Sequence, residues 1–390
     1  MKSSHYWYAD ADSHLYEPRD AFTRHMPADQ QHLAIRVCDG PDGEQIYVGD
    51  RRFTFLSPLY DTVPVPGSLR EVLHNLKSGE ITEDRLQQPM RPEYNNPTAR
   101  LAWMDEHCVE LSIVVPSLGG VVETYMDHDA HQTMANLRAF NRWLAEDWGF
   151  AHQDRIFTTP MISLLDPDAA VAEAAWLAEQ GARFVHLRPG PAGDRSPADP
   201  VFDDFWSCIV DAGIRVVLHI SESGYNRTAS ARWSEDPHPN AWSISAFQWT
   251  TSYGDRPIMD TVAAMVLHNL FGRFPDLQVL SLENGSLWLP YLAAAMDKMK
   301  GMGRNSPWLG GPVLDRPSDI LRNHLFVSPF HEEDHRPVVD ALGVERVLFG
   351  TDFPHPEGVA RPEDYLDSLD GFTDEQIKRI MRENLVELLR

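Results

Sequence analysis

Short apolar runs alternating with amphipathic stretches that end in glycine constrain this chain more than any other feature. Runs rich in Val, Ile and Phe fall near residues 8–12, 111–116, 156–163, 182–187, 214–220, 277–283, 324–328 and 345–351. Such a run joined to a helical stripe reads as a βα unit of a parallel sheet. The clearest unit starts at Asp166-Pro167, where Asp166 can cap a helix and Pro167 suits its first position. AAVAEAAWLAEQ carries the helix, Gly181 ends it, and ARFVHL follows as the strand. FDDFWSCIVDAG and IRVVLHI repeat the logic, and a helix around 260–273 leads into LQVLSLEN. At the end of the chain Thr373 can cap a last helix with Glu375 in its first turn, and IKRIMRENLVELLR shows the stripe.

Eight parallel strands with intervening helices close into a (β/α)8 TIM barrel of the α/β class, and 390 residues suit one barrel domain spanning 1–390 with insertions. An open doubly wound sheet is the competitor, but no glycine-rich phosphate loop follows the first run. Two regions break the alternation. Residues 28–97 contain LAIRVCDGPDGEQIYVGDRRFTF, which reads as a small β-hairpin insertion with a Pro-Asp-Gly turn. Residues 222–258, rich in Trp, Ser, Arg and Pro, read as a long loop after the fifth strand. Both are expected at the barrel rim.

Composition excludes several function classes. A formal net charge of -24 repels phosphate backbones and anionic membranes, so neither nucleic acid nor a membrane is expected as partner. No stretch approaches the roughly 18 consecutive apolar residues of a membrane helix. MKSSHYWYAD has no apolar run behind its lysine, so no secretory signal is expected. Three scattered cysteines, Cys38, Cys108 and Cys208, fit a reducing cytoplasm and not a disulfide framework.

Barrel enzymes place their chemistry at the C-terminal ends of strands. The first run ends in DADSHLYEP, offering Asp10, Asp12 and His14; the fourth ends at His186, the fifth at His219, the sixth at Glu283 and the eighth at Asp352. Imidazoles and carboxylates together are the ligands of a divalent cation of the Zn, Mn or Fe type. Asp12 and His14 stand two apart, so on a strand both point to one side. Taken singly, each residue has a plainer reading. His186 can anchor the loop that carries Arg188 and Pro189, Glu283 can cap the next helix, and Asp352 can be a turn residue. Several carboxylates and imidazoles on one face are harder to account for without a cation, because unpaired buried charge is costly.

These motifs resemble the amidohydrolase superfamily, in the branch of aminocarboxymuconate-semialdehyde decarboxylase known as amidohydrolase family 2. Asp10-Ala11-Asp12-Ser13-His14 is similar to its Asp-x-His-x-His signature, FGRFPDLQVLSLENGS to its sixth-strand motif and GTDFPHPEG to its eighth-strand motif. The resemblance implies a metal-dependent hydrolase or non-oxidative decarboxylase acting on a small to medium organic acid, amide or lactone. By position it implies a metal held by Asp12, His14, His219 and Asp352. It also implies a homo-oligomer. Two residues depart from the pattern: Asp12 replaces the first histidine, and Glu283 stands where the decarboxylases carry a catalytic histidine.

From these residues the expected roles are Asp352 as ligand and general base and Glu283 as proton donor, second base or further ligand. His186 is a candidate for a second metal, since six donors exceed the needs of one tetrahedral ion. That surplus keeps open a di-iron-type oxygenase on the same barrel, and a non-catalytic partner subunit is the third alternative. Arg188, Arg227 and Arg232 are candidate partners for a substrate carboxylate. Tyr225, Trp233, Trp242, Phe247 and Trp249 on the long loop are candidates for enclosing an aromatic or alicyclic substrate.

Overall fold

The first strand, Tyr8–Leu15 (β1), is buried along its whole length. In the computed structural model, which describes residues 7–41, 43–78 and 86–390, it is followed by material that leaves the barrel. Strands Ile35–Gly40 (β2), Gly43–Val48 (β3) and Arg51–Arg52 (β4) form a three-stranded antiparallel sheet, and Thr62–Pro64 (β5) pairs with Gln87–Pro89 (β6). The region between β1 and the second barrel strand is therefore more than a hairpin, and it also holds a helix at Leu69–Ser78. Asp42, the centre of the expected Pro-Asp-Gly turn, lies outside the described residues, as does the side chain of Trp242.

The barrel resumes with Val109–Pro116 (β7), Ile156–Thr158 (β8), Met161–Ile162 (β9), Phe184–Leu187 (β10), Arg215–His219 (β11), Val279–Leu282 (β12) and Leu325–Val327 (β13). Neighbours pair in parallel in two runs, β1-β7-β8 and β9-β10-β11-β12-β13. β8 and β9 are one strand interrupted at Thr159-Pro160, where proline has no N–H to give the ladder. The expected eighth strand at 345–351 is not a regular strand. Its ladder is reduced to parallel bridges Val327↔Val347 and Ser13↔Phe353. Leu348 N donates to Val327 O, Ala11 N to Phe349 O and Asp352 N to Asp12 O. These contacts join β13 to β1 and close the TIM barrel.

Two hydrophobic populations follow from the closure. Ala9, Ala11, Leu111, Ile113, Val115, Phe157, Phe184, Val217, Leu280, Leu282, Phe326 and Leu348 cluster separately from the larger core. They come alternately from every strand position, as the interior of a closed barrel requires. Leu385 and Val386 of the C-terminal helix pack against them. Continuing the alternation two residues past Phe184 and Val217 places His186 and His219 on the same inward face. The helices match their caps: Asp166 accepts from Ala169 N ahead of Pro167–Glu179, and Thr373 forms a capping box with Gln376. The 222–258 loop is organised as short helices, among them Tyr225–Thr228 and Ala246–Thr251. Among the described residues no helix is long and apolar enough to cross a membrane, and all three cysteines are free.

One glycine is needed to bring the first and eighth strand positions together. A Cβ on Gly350 would lie 2.6 Å from Asp12 Cβ and 2.7 Å from Ser328 Oγ. Gly350→Ala is therefore expected to push Asp12 away from Asp352 and to cost roughly 1–3 kcal/mol of stability, the usual range for overpacking. Denaturant unfolding measures the cost, and an unchanged midpoint would show that the two segments can give way.

Candidate metal centre

β1 brings the first donors. A register shift between Asp10 and Ser13 lets the strand change phase, so Ala11 stays in the barrel interior while Asp12 and His14 converge. Asp12 Oδ1 lies 3.6 Å from His14 Nε2. From β11, His219 places Nε2 3.4 Å from the same oxygen, with its Nδ1 2.9 Å from the Ile220 carbonyl. A ring nitrogen facing a carbonyl carries the proton, so Nε2 is the atom left for a ligand.

Glu283 and Asp352 follow strand ends and share one backbone feature. Both hold a left-handed conformation, φ 52° and 56°, which turns the chain sharply out of the strand. Glu283 Oε2 then lies 3.1 Å from His219 Nε2 and 3.7 Å from His14 Nε2. Asp352 Oδ1 lies 3.0 Å from His14 Nε2. Two overlapping sets of donors result, Asp12 with His14 and His219, and His14 with Glu283, Asp352 and His355; the ligand atoms of each set lie within 4.8 Å of one another. The Glu283 and Asp352 side chains keep 13% and 11% exposure against 1% for His14, so the cluster opens on the carboxylate side.

The electrostatics are those of too many carboxylates in too little water. Burial pushes the Asp352 and Glu283 carboxyls up; the surrounding carboxylates push Asp352 further, whereas His219 draws Glu283 part of the way back. Burial alone would lower the His219 imidazole, but the Asp12 and Glu283 carboxylates raise it to about 10. Burial, then His355 and His219, hold His14 well below its ordinary value. Asp12 Oδ1, His14 Nε2 and His219 Nε2 are buried, and although Asp352 and Glu283 oxygens stand 3.0 and 3.1 Å from the two ring nitrogens, none of the three atoms has a well-aligned hydrogen bond. A divalent cation satisfies all three at once, and these donors are of the type such a cation takes.

Asp10 converges elsewhere. Its carboxylate accepts from Thr351 N at 3.0 Å, Thr351 Oγ at 2.6 Å and Asp12 N at 3.1 Å, tying the two strand ends together. His186 is buried with both ring nitrogens unpartnered, and burial lowers it to about 3. Its ring lies 6.2 Å from that of His219, in neither donor set. The Arg188 fork is taken up by the carbonyls of Ser223 and Pro191, at 3.1 and 3.0 Å, beside Glu123. Arg227 pairs with Asp127, and the Tyr225 hydroxyl donates to Asp260 at 3.0 Å. Trp249, 46% exposed, meets Tyr253 edge-on.

His355 escapes sequence reasoning. It stacks on the His14 ring at 3.9 Å, and its Nδ1 lies 3.0 Å from Asp352 Oδ1. Ser117 Oγ donates to Leu15 O and so accepts from His355 Nε2 at 2.8 Å. The one available signal is its place in GTDFPHPEG, three residues past Asp352.

The sequence profile of the amidohydrolases matches residues 9–390. Among solved structures, an amidohydrolase from Mycobacterium avium subsp. paratuberculosis K-10 is 34% identical over 100% of both chains, with a TM-score of 0.88. The 2,6-dihydroxybenzoate decarboxylase from Rhizobium is 16% identical over 98% of each chain, at 0.58. The 5-carboxyvanillate decarboxylase from Novosphingobium aromaticivorans DSM 12444, complexed with manganese and 4-hydroxy-3-methoxy-5-nitrobenzoic acid, is 13% identical over 100% of this chain and 97% of its own, at 0.59. No curated protein matches the chain.

Proposed function

The chain belongs to the amidohydrolase family, and from that premise we propose that it is a metal-dependent hydrolase whose cation is held by Asp12, His14, His219 and Asp352. The observation that carries this reading is the set of buried, unpartnered donor atoms on Asp12, His14 and His219, closed on its open side by Asp352 and Glu283. Bound there, a Zn, Mn or Fe ion polarises a substrate oxygen or acidifies a water.

The chain's own residues supply the rest. Glu283, on the exposed side, takes a proton from the attacking water and returns it to the leaving group. That proton transfer suits hydrolysis of an amide, ester or lactone. Asp352 serves as ligand and second general base, and His355, held by Ser117, keeps the Asp352 carboxyl oriented. Non-oxidative decarboxylation is the second reading, favoured by the fold shared with two decarboxylases of hydroxybenzoate-type acids, one of them with manganese bound. There Glu283 protonates the carbon that loses carbon dioxide. A small organic acid or its amide fits either reaction.

The test is product analysis with manganese-loaded protein. Release of alcohol or amine from an ester, amide and lactone panel supports hydrolysis. Carbon dioxide from 2,6-dihydroxybenzoate or 5-carboxyvanillate supports the second reading. Activity that needs oxygen and a reductant would contradict both.

Assembly into a homo-oligomer in the cytoplasm belongs to the same proposal. Tyr291, Met299 and Met302 on helix Trp288–Met302 are 69%, 51% and 77% exposed, an apolar stripe of the kind protein interfaces use. Light scattering reads the assembly.

A further inference from the structure

Arg100 is the most deeply buried arginine among the described residues; it is 1% exposed. It sits on helix Pro97–Glu106, which Asn96 caps, and it points toward the ends of the first and eighth strand positions. Nε donates to Glu93 O at 2.7 Å, one Nη to Ser13 Oγ at 3.2 Å and the other to His14 O at 2.5 Å. The guanidinium also stands 5.3 Å from the Phe353 ring. Its direct partners are thus two carbonyls, a hydroxyl and two aromatic faces, Phe353 and, at 5.9 Å, Trp148. Among the described residues no carboxylate lies within ion-pairing distance of it. A buried cation without a carboxylate is expensive, and a planar fork that spans fixed acceptors is the form in which proteins keep one.

The acceptors are the revealing part. His14 belongs to the cluster, and Phe353 follows Asp352 immediately. The His14 backbone is held on both sides of its Cα: its N–H donates to Phe353 O at 2.7 Å, and its carbonyl accepts from Arg100. Ser13, whose hydroxyl takes the second Nη, bridges to Phe353 in the ladder. One guanidinium therefore holds the backbone that carries His14, and it meets the segment that carries Asp352 through the Phe353 ring and through the Ser13 and His14 backbone that bridges to Phe353.

We propose that Arg100 is a positioning residue for the metal centre, setting the separation of His14 from Asp352 from behind the strand ends. It touches none of the donor atoms. Its effect is on how well they are arranged for a cation, and lysine, a point donor on a flexible stem, cannot span the same acceptors. This inference rests on the metal-site reading above.

The experiment compares manganese affinity by calorimetry, without substrate, for wild type, Arg100→Lys and Met104→Ala. Met104 is fully buried on the same helix and has no part in the cluster, so its truncation reports destabilisation alone. Each protein is measured the same interval below its own Tm. The expected result is a loss of roughly 10–100-fold in affinity for Arg100→Lys, the size of effect that supporting groups at metal sites show, with Met104→Ala within about twofold of wild type. Equal losses in the two variants, or none in Arg100→Lys, would overturn the proposal. Should Arg100→Lys not fold, Arg100→Gln takes its place in the comparison. Failure of both to fold would make Arg100 a residue of the fold alone and also overturn it. A wild type that binds no manganese would instead refute the metal-site reading itself.

Discussion

Asp352→Asn is expected to lower turnover by about 10²–10⁴-fold, the range associated with losing a positioned acid or base. The substitution is informative because it is conservative in shape. Asp352 holds φ 56°, a conformation that asparagine adopts more readily than almost any residue but glycine. The turn should therefore survive, with the Asp352 N–H still donating to Asp12 O. What changes is charge: the oxygen 3.0 Å from His14 Nε2 and from His355 Nδ1 no longer belongs to a carboxylate. Circular dichroism should be unchanged while bound metal falls. A variant that keeps turnover within about tenfold of wild type would remove Asp352 from the chemistry, since even one acid–base group is worth more than that.

Glu283→Gln is the second large effect, and its value lies in separating two roles. The carboxylate lies 3.1 Å from His219 Nε2 and is more exposed than Asp12 or His14, so it is placed to meet a substrate. As a proton-transfer group its loss should reduce kcat by roughly 10²–10⁴-fold with metal content intact. As a ligand its loss should empty the site in step with activity. The account predicts the first pattern. Parallel loss of metal and turnover would move Glu283 into the coordination sphere and revive a two-metal site.

The barrel was legible because its determinants are local and periodic. Val, Ile and Phe runs between glycine-ended helical stripes put seven strands within a few residues of their observed bounds. The eighth is a chain segment that contributes isolated bridges, with Phe349 N donating to Ile380 O in place of a neighbouring strand. Hydrophobicity reports that such a segment is buried and says nothing of its ladder. Residues 28–97 were under-read for a similar reason: β5 and β6, three residues each, pair across a gap of more than twenty residues with no periodic signal to announce it.

The candidate site was legible where strand alternation applies. His219 follows from it, and so does the shared face of Asp12 and His14, although only the register shift between Asp10 and Ser13 turns that face to the cluster while Ala11 stays inward; Glu283 and Asp352 follow from their places at strand ends. His355 lies beyond a turn, where alternation gives no direction, and Arg100 lies on a helix whose stripe looks ordinary. The arginines and aromatics chosen for a substrate came from side-chain chemistry and from their place in the loops that follow the strands. Neither tells that Arg188 meets carbonyls or that Arg227 meets Asp127.

Metal content tests the central claim most directly, read by elemental mass spectrometry on protein purified without added metal and again after reconstitution. The account predicts about one equivalent of Zn, Mn or Fe per chain, the stoichiometry that four protein donors serve. No bound metal even after reconstitution would contradict it, leaving the convergence of Asp12, His14, His219 and Asp352 without the cation that their geometry calls for.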